Sequence, residues 1–161
     1  MKKKLLFRTL VLLVLIILLS TIGILTDISI NNIFSNSKTE QKIVTKIIDG
    51  DTVIVEGGET VRLLGMDCDE KGKKCFTVAK NRIEELLLGK SVVLESGNED
   101  KDQYDRSLRY IFLNEKNINV QMVEEGFCVA RFVGGENDKY KTEIQSAESN
   151  AIKNKVGCKW S

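Results

Sequence analysis

Val61-Arg62-Leu63-Leu64-Gly65-Met66-Asp67-Cys68-Asp69-Glu70 is the stretch from which the fold is read. Apolar residues alternate with others and then give way to a cluster of acids. Alternation of this kind marks a half-buried strand. A strand that ends in Asp67, Asp69 and Glu70 delivers carboxylates to a surface cleft. Arg62 sits inside the strand and needs a buried or half-buried partner, which Asp67 or Asp51 can supply.

Upstream, Ile43 to Ile48 reads as a strand, Asp49-Gly50-Asp51-Thr52 as a bend, and Thr52 to Glu56 as strand again. Gly57-Gly58 signals a two-residue hairpin, and Thr60 to Met66 returns. A meander of this form brings Asp51 and Asp67 together. Downstream, residues 71–75 are a basic loop. The period then becomes helical from Phe76 to Leu88, with Ala79, Ile83, Leu86 and Leu87 on the face of Phe76 and Gly89 as terminator. Ser91 to Leu94 is a short strand, Ser96 to Arg106 a polar loop, and Leu108 to Leu113 a strand. Asn114 to Asn117 is a turn and Val120 to Glu125 a short helix stopped by Gly126. Phe127 to Val133 is extended. Asp138 is the expected N-cap of a helix running to Lys155. The pattern predicts an α+β domain: a five-stranded OB-type barrel with about three helices.

The chain has 161 residues, no histidine and no proline. Without histidine, Ser-His-Asp catalysis, His-ligated zinc and imidazole bases are excluded. Acid–base chemistry falls to carboxylates, lysine, tyrosine, cysteine or metal-bound water. Residues 1–39 hold five of the 24 basic residues and one of the 23 acids. Residues 40–161 are left with 19 against 22, a net of −3. A domain of that charge exerts no broad pull on a polyanion, so nucleic acid would have to be held at a local site.

Met1 to Arg8 is basic, and Thr9 to Thr26 is eighteen residues without a charge. As a helix the run would span about 27 Å, close to the thickness of a hydrocarbon core. It lacks an Ala-x-Ala-like cleavage site. Residues 1–26 are therefore expected to be a signal anchor or transmembrane helix, with a cleaved signal peptide as the alternative. The positive-inside bias would keep Lys2, Lys3, Lys4 and Arg8 in the cytoplasm and place the domain outside. Residues 27–41 are expected to be a polar tether and residues 42–161 the folded domain.

Asp51, Asp67 and Glu70 are candidates for one hard-cation site, and calcium takes oxygen ligands of this kind. Arg62 and Arg106 can clamp a phosphate and stabilise charge developing on it. Asp-Gly is also a common turn and acids at strand ends are commonly solvated, so each residue alone has a purely structural reading.

The order and spacing of the motifs resemble the staphylococcal nuclease (thermonuclease) family over residues 42–161. That family's Asp-Gly-Asp-Thr turn is present as Asp49-Gly50-Asp51-Thr52. Its Arg-Leu-(Leu/Ile)-Gly-x-Asp-(Thr/Ala)-Pro-Glu is similar to Arg62 through Glu70. Its Asp-(Lys/Arg)-Tyr-Gly-Arg is similar to Asp102-Gln103-Tyr104-Asp105-Arg106, its Leu-Val-x-x-Gly to Met122 through Gly126, and its closing Gly-x-Trp to Gly157-Cys158-Lys159-Trp160. The resemblance implies an OB-fold and a calcium-dependent endonuclease acting on DNA and RNA and leaving 3′-phosphate ends. It implies calcium on the Asp51 and Asp67 carboxylates and the Cys68 backbone carbonyl, and Glu70 as general base. Arg62 and Arg106 would hold the scissile phosphate, and Tyr104 would hydrogen-bond a phosphate. A monomer is the expected state. A non-catalytic OB module that binds nucleic acid or a protein is the alternative, because the chain departs from the pattern. Cys68-Asp69 replaces Thr/Ala-Pro, which loosens the loop that aims Glu70, and Asp69 could join the calcium site or repel substrate. Asp105 replaces glycine, although Asp tolerates a left-handed turn.

Cys68, Cys75, Cys128 and Cys158 are an even set in a domain expected outside, which suggests disulfides with three connectivities open. Cys68–Cys75 and Cys128–Cys158 are the expected pairs, the first as a staple for the Glu70 loop. Free thiols are the alternative.

Overall fold

The structure is a computed structural model that describes residues 39–132 and 139–161. The expected membrane helix and most of the tether lie outside the described residues. Among the described residues no helix is long and apolar enough to cross a membrane.

Strands β1 (Thr39–Ile47), β2 (Thr52–Val55) and β3 (Thr60–Leu63) form the expected antiparallel meander. β1 begins inside the segment read as tether, because Thr39 to Gln41 pair with β5 (Ser91–Lys101). β5 pairs with β6 (Ser107–Leu113), and β6 lies parallel to β3. That last contact closes a five-stranded barrel in the order β1-β2-β3-β6-β5, an α+β OB-fold. β4 (Met66–Cys68) and β8 (Cys128–Ala130) make a separate ladder, and β7 (Lys116–Asn117) extends β6.

The barrel interior is filled by Val44, Val53, Val55, Val61, Leu63, Leu94 and Ile111, all buried. Helix α1 (Phe76–Leu87) adds Ala79, Ile83 and Leu87 to this core. Leu86 is only partly buried, so the apolar face is narrower than the sequence suggested. Helices α2 (Ile118–Glu124) and α3 (Lys141–Asn154) contribute Met122 and Ile144 to the same core, and α4 (Gly157–Trp160) ends the chain.

Four expectations are revised. The turn between β2 and β3 is closed by the Val55–Glu59 pair and encloses three residues, Glu56 to Gly58, rather than two: Val55 N–H donates to Glu59 O, Gly58 N–H returns to Val55 O, and Gly57 and Gly58 both have positive φ. β5 continues through the segment read as polar loop, because its backbone pairs across a bulge to Lys101↔Ser107 whatever its side chains are. α3 starts at Lys141 with Tyr140 as N-cap, and Asp138 lies outside the described residues.

The fourth concerns the disulfides, which are Cys68–Cys128 and Cys75–Cys158. The expected Cys68–Cys75 and Cys128–Cys158 pairs do not form. Cys68 and Cys128 are direct partners in the β4–β8 ladder, with Cα atoms 4.3 Å apart. That register commits Cys68 and leaves Cys75, at the start of α1, to Cys158 on α4 at 5.6 Å.

α1 is tied to the end of α2 by a bidentate pair. Arg82 Nε donates to Glu125 Oε2 at 2.6 Å and Arg82 Nη2 to Oε1 at 2.8 Å, and Gln121 Nε2 also donates to Oε1. Burial pushes the Glu125 carboxyl up, but these donors outweigh it and hold the group below its ordinary 4.5.

A depressed carboxylate contributes stability that is complete above its unfolded-state value and is lost as pH falls through the folded one. Glu125→Gln is expected to cost about 1 kcal/mol near neutral pH and progressively less below about pH 4.5. Denaturant melts across that range test this, and an equal loss at every pH would refute it. Peptide mapping without reductant is expected to join Cys68 to Cys128 and Cys75 to Cys158, and a Cys68–Cys75 product would overturn the register.

Candidate active site

The strand pairings assemble the site. β2 and β3 pair with Thr52 opposite Arg62, and Leu63 N–H donates to Asp51 O, so Asp51 stands beside the arginine. The parallel β3–β6 contact sets Val61 against Ser107 and brings the preceding Arg106 to the same end of the barrel. Asp67 follows from β4. Asp51, Arg62, Asp67, Glu70, Tyr104 and Arg106 all line one open cleft of about 630 Å³.

Asp51 is buried. Its Oδ2 accepts the Cys68 N–H at 2.8 Å and lies 3.3 Å from Arg62 Nη2, and its Oδ1 accepts the Thr52 hydroxyl. The Asp49 side chain accepts the Asp51 N–H, fixing the turn. A Cβ on Gly50 would lie 2.8 Å from Cys68 Cβ and 2.9 Å from Ala79 Cβ, so only glycine lets this turn approach the disulfide and α1. Burial pushes the Asp51 carboxyl up to about 6, against the pull of Arg62 and the Cys68 N–H and with a push from Asp49.

Arg62 donates to the backbone oxygens of Leu63 and Met66, and its Nη2 lies 3.0 Å from Asp67 Oδ1. Both proposed partners of the strand arginine are therefore used. Tyr104 and Arg106 share a five-residue loop organised by Asp102. Asp102 Oδ1 accepts the Tyr104 and Arg106 N–H groups, and its Oδ2 accepts Arg106 Nε at 2.7 Å. Burial raises the Asp102 carboxyl, but these donors together pull it below its ordinary value. Asp105 adopts φ 63°, the left-handed turn the sequence required of it. The Arg106 guanidinium lies over the Tyr104 ring at 5.5 Å.

Asp69 does not line the cleft. Its Oδ2 accepts the Cys75 N–H at 2.8 Å and its Oδ1 accepts Lys159 Nζ. Lys159, with the Cys75 N–H second, holds the Asp69 carboxyl below its ordinary value. The segment carrying Glu70 is thus fastened at Cys68, Asp69 and Cys75.

Cys68 does not line the cleft, and its N–H is given to Asp51. As donors, Asp51 and Asp67 suit a hard cation, being oxygen only. Among the described residues no group of three or more His, Cys, Asp or Glu is poised for a metal. Backbone oxygens and water would have to complete a shell of about six to eight.

Sequence reasoning missed three cleft residues. Asp102 was read only as part of a motif. Lys101 lay in a presumed loop, yet it ends β5 at the cleft and pairs with Asp105 at 2.7 Å. Arg131 follows β8, and its Nη1 donates to Asp67 Oδ2 at 2.9 Å. Nothing in the sequence linked residue 131 to residue 67, since only the β4–β8 ladder brings them together. The cleft carries four cations (Arg62, Lys101, Arg106, Arg131) against five carboxylates (Asp51, Asp67, Glu70, Glu99, Asp102), a net of −1.

Comparison with known proteins gives this geometry its context. Residues 60–161 match the family model described as staphylococcal nuclease homologue. The chain belongs to the staphylococcal nuclease family. It is 36% identical to a thermonuclease of Staphylococcus intermedius over 126 residues, 73% of this chain and 74% of that one. It is 31% identical to a thermonuclease of Staphylococcus hyicus, over 74% and 75% of the two chains. It is 30% identical to endonuclease YncB of Bacillus subtilis, over 78% and 66%. Its enzyme class is that of a nuclease, a phosphodiester hydrolase.

Asp102→Ala removes the acceptor for both loop N–H groups and for Arg106 while leaving every cleft cation in place. The variant is expected to lose on the order of a hundredfold in kcat/KM while remaining folded, with only a modest drop in melting temperature from the lost loop hydrogen bonds. Steady-state cleavage kinetics test this, and wild-type kinetics would show that Asp102 does not position Arg106.

Proposed function

We propose that this protein is a calcium-dependent endonuclease that hydrolyses phosphodiester bonds of DNA, RNA or both. One observation carries the reading: the carboxylates Asp51, Asp67 and Glu70, the arginines Arg62 and Arg106, and Tyr104 converge on a single cleft. Glu70 acts as general base on the attacking water, on a loop fastened at both flanks. Arg62 and Arg106 hold the scissile phosphate and stabilise the charge that grows on its oxygens. Tyr104 stands 70% exposed at the rim, where its hydroxyl can meet a phosphate. Calcium, held by Asp51 and Asp67 with backbone oxygens and water completing its shell, would supply Lewis-acid polarisation of the phosphoryl oxygen. The −1 balance of the cleft supports the cation requirement, because a polyanion gains little there without an added positive charge.

The proposal includes location. The charge-free run at Thr9 to Thr26 anchors the chain and the domain works outside, as a monomer. Two disulfides and no free cysteine support an oxidising compartment.

Full-length protein in mild detergent, incubated with single-stranded DNA and calcium, is expected to cleave internally. EDTA should stop the reaction, and Glu70→Gln should slow it by about 10²–10⁴. No cleavage, or cleavage indifferent to both changes, sinks the reading.

A further inference from the structure

Arg131 is the least restrained cation of the cleft. Its side chain is 61% exposed, against 15% for Arg62 and 30% for Arg106. Arg62 already contacts two carboxylates and two carbonyls, and Arg106 is held by Asp102. Arg131 spends one of its five N–H donors on Asp67 Oδ2. Its backbone is nonetheless fixed. Arg131 N–H donates to Gly65 O, and the preceding Ala130 N–H donates to Glu148 Oε1. A rigid base with an exposed, singly held guanidinium suits a group that changes partner during function. An exposed ion pair of this kind contributes little, so a phosphate dianion or diester in the cleft competes for it readily.

Asp67 is bracketed by Arg62 on Oδ1 and by Arg131 on Oδ2. While both arginines are in place, neither oxygen is free of a cationic competitor.

We propose that Arg131 is a third phosphate-binding residue of the cleft, parked on Asp67 until nucleic acid draws it away. Its transfer does two things at once. It adds a contact to a phosphate next to the scissile one, and it frees Asp67 Oδ2 for a divalent cation. Nucleic acid and cation then strengthen each other's binding reciprocally. The proposal rests on the nuclease reading above, and its readouts are binding constants that do not require turnover.

The test uses full-length Glu70→Gln protein, alone and with Arg131→Gln or Arg131→Lys added. A fluorescent single-stranded oligodeoxynucleotide is titrated by anisotropy across a salt series in the presence of calcium. Calcium is titrated by calorimetry without oligonucleotide. Arg131→Gln is expected to weaken oligonucleotide binding about tenfold and to lower the slope of log affinity against log salt by about 0.7. Arg131→Lys should restore the slope, since it keeps the charge. Calcium binding without oligonucleotide should tighten in Arg131→Gln, because Asp67 has lost a competitor. An unchanged salt slope in Arg131→Gln, or one that Arg131→Lys fails to restore, overturns the phosphate contact. Unchanged calcium affinity overturns the exchange. Cleavage by the Glu70→Gln parent at the wild-type rate would count against Glu70 as the base, whereas the binding outcomes test Arg131 separately.

Discussion

The buried Asp51 carboxylate is the constraint on which the site depends. One oxygen binds the Cys68 N–H and faces Arg62, and the other takes the Thr52 hydroxyl. These contacts connect the first bend of the barrel, its third strand and the ladder that carries Asp67. A carboxylate in that position is costly, and burial raises its pKa against the pull of Arg62 and the Cys68 N–H. Removing any partner would leave a worse imbalance. The arrangement therefore holds its members in one geometry without adding much to stability. On the calcium-dependent reading, the added charge would offset the burial of this carboxylate.

The loop bearing Glu70 shows how one rigid device can stand in for another. Cys68-Asp69 occupies the place where the family pattern has a stiff proline pair. The structure supplies three fastenings in its stead. Cys68 is bonded across the β4–β8 ladder, Asp69 binds the start of α1 and Lys159, and Cys75 is bonded to α4. The C-terminal turn, remote in sequence, thereby becomes part of the active-site scaffold. The carboxylate that looked like a disturbance to the metal site turns inward and serves the backbone.

Much of the barrel was legible because its signals are local. The alternation at Val61 to Met66, the Asp-Gly-Asp bend and the period of α1 each follow from neighbouring residues. The three motif clusters were legible as chemistry because, with histidine absent, carboxylates and arginines were the remaining agents. The misreadings share a different cause. β5 runs on through polar residues since backbone pairing with β6 holds it, and side-chain pattern does not register backbone pairing. The disulfides join residues 60 and 83 positions apart, and spacing favoured the short loop over the register that decides the matter. Asn119 is the clearest case of an invisible residue. It is fully buried, donates to Leu64 O and Arg109 O, and accepts the Ile111 N–H, so it joins α2 to the barrel beside the site. An asparagine on a helix carries no sequence sign of such a role.

The charge balance of the cleft explains why its cations are held as they are. Arg62 is held by Asp51 and Asp67, Arg106 by Asp102, Arg131 by Asp67 and Lys101 by Asp105. Each pairing weakens the pull of that cation on a free polyanion, so ground-state attraction is sacrificed. What remains is orientation. A guanidinium already fixed by a carboxylate needs no reorganisation when charge develops on a phosphate, and catalysis gains from interactions that are stronger in the transition state than in the bound substrate. A strongly basic cleft would bind nucleic acid tightly at any register and release product slowly. On the proposed reading, a cleft whose cations are already paired would bind weakly until a divalent cation tips the balance, and would concentrate its electrostatic effect on the phosphate beside Glu70.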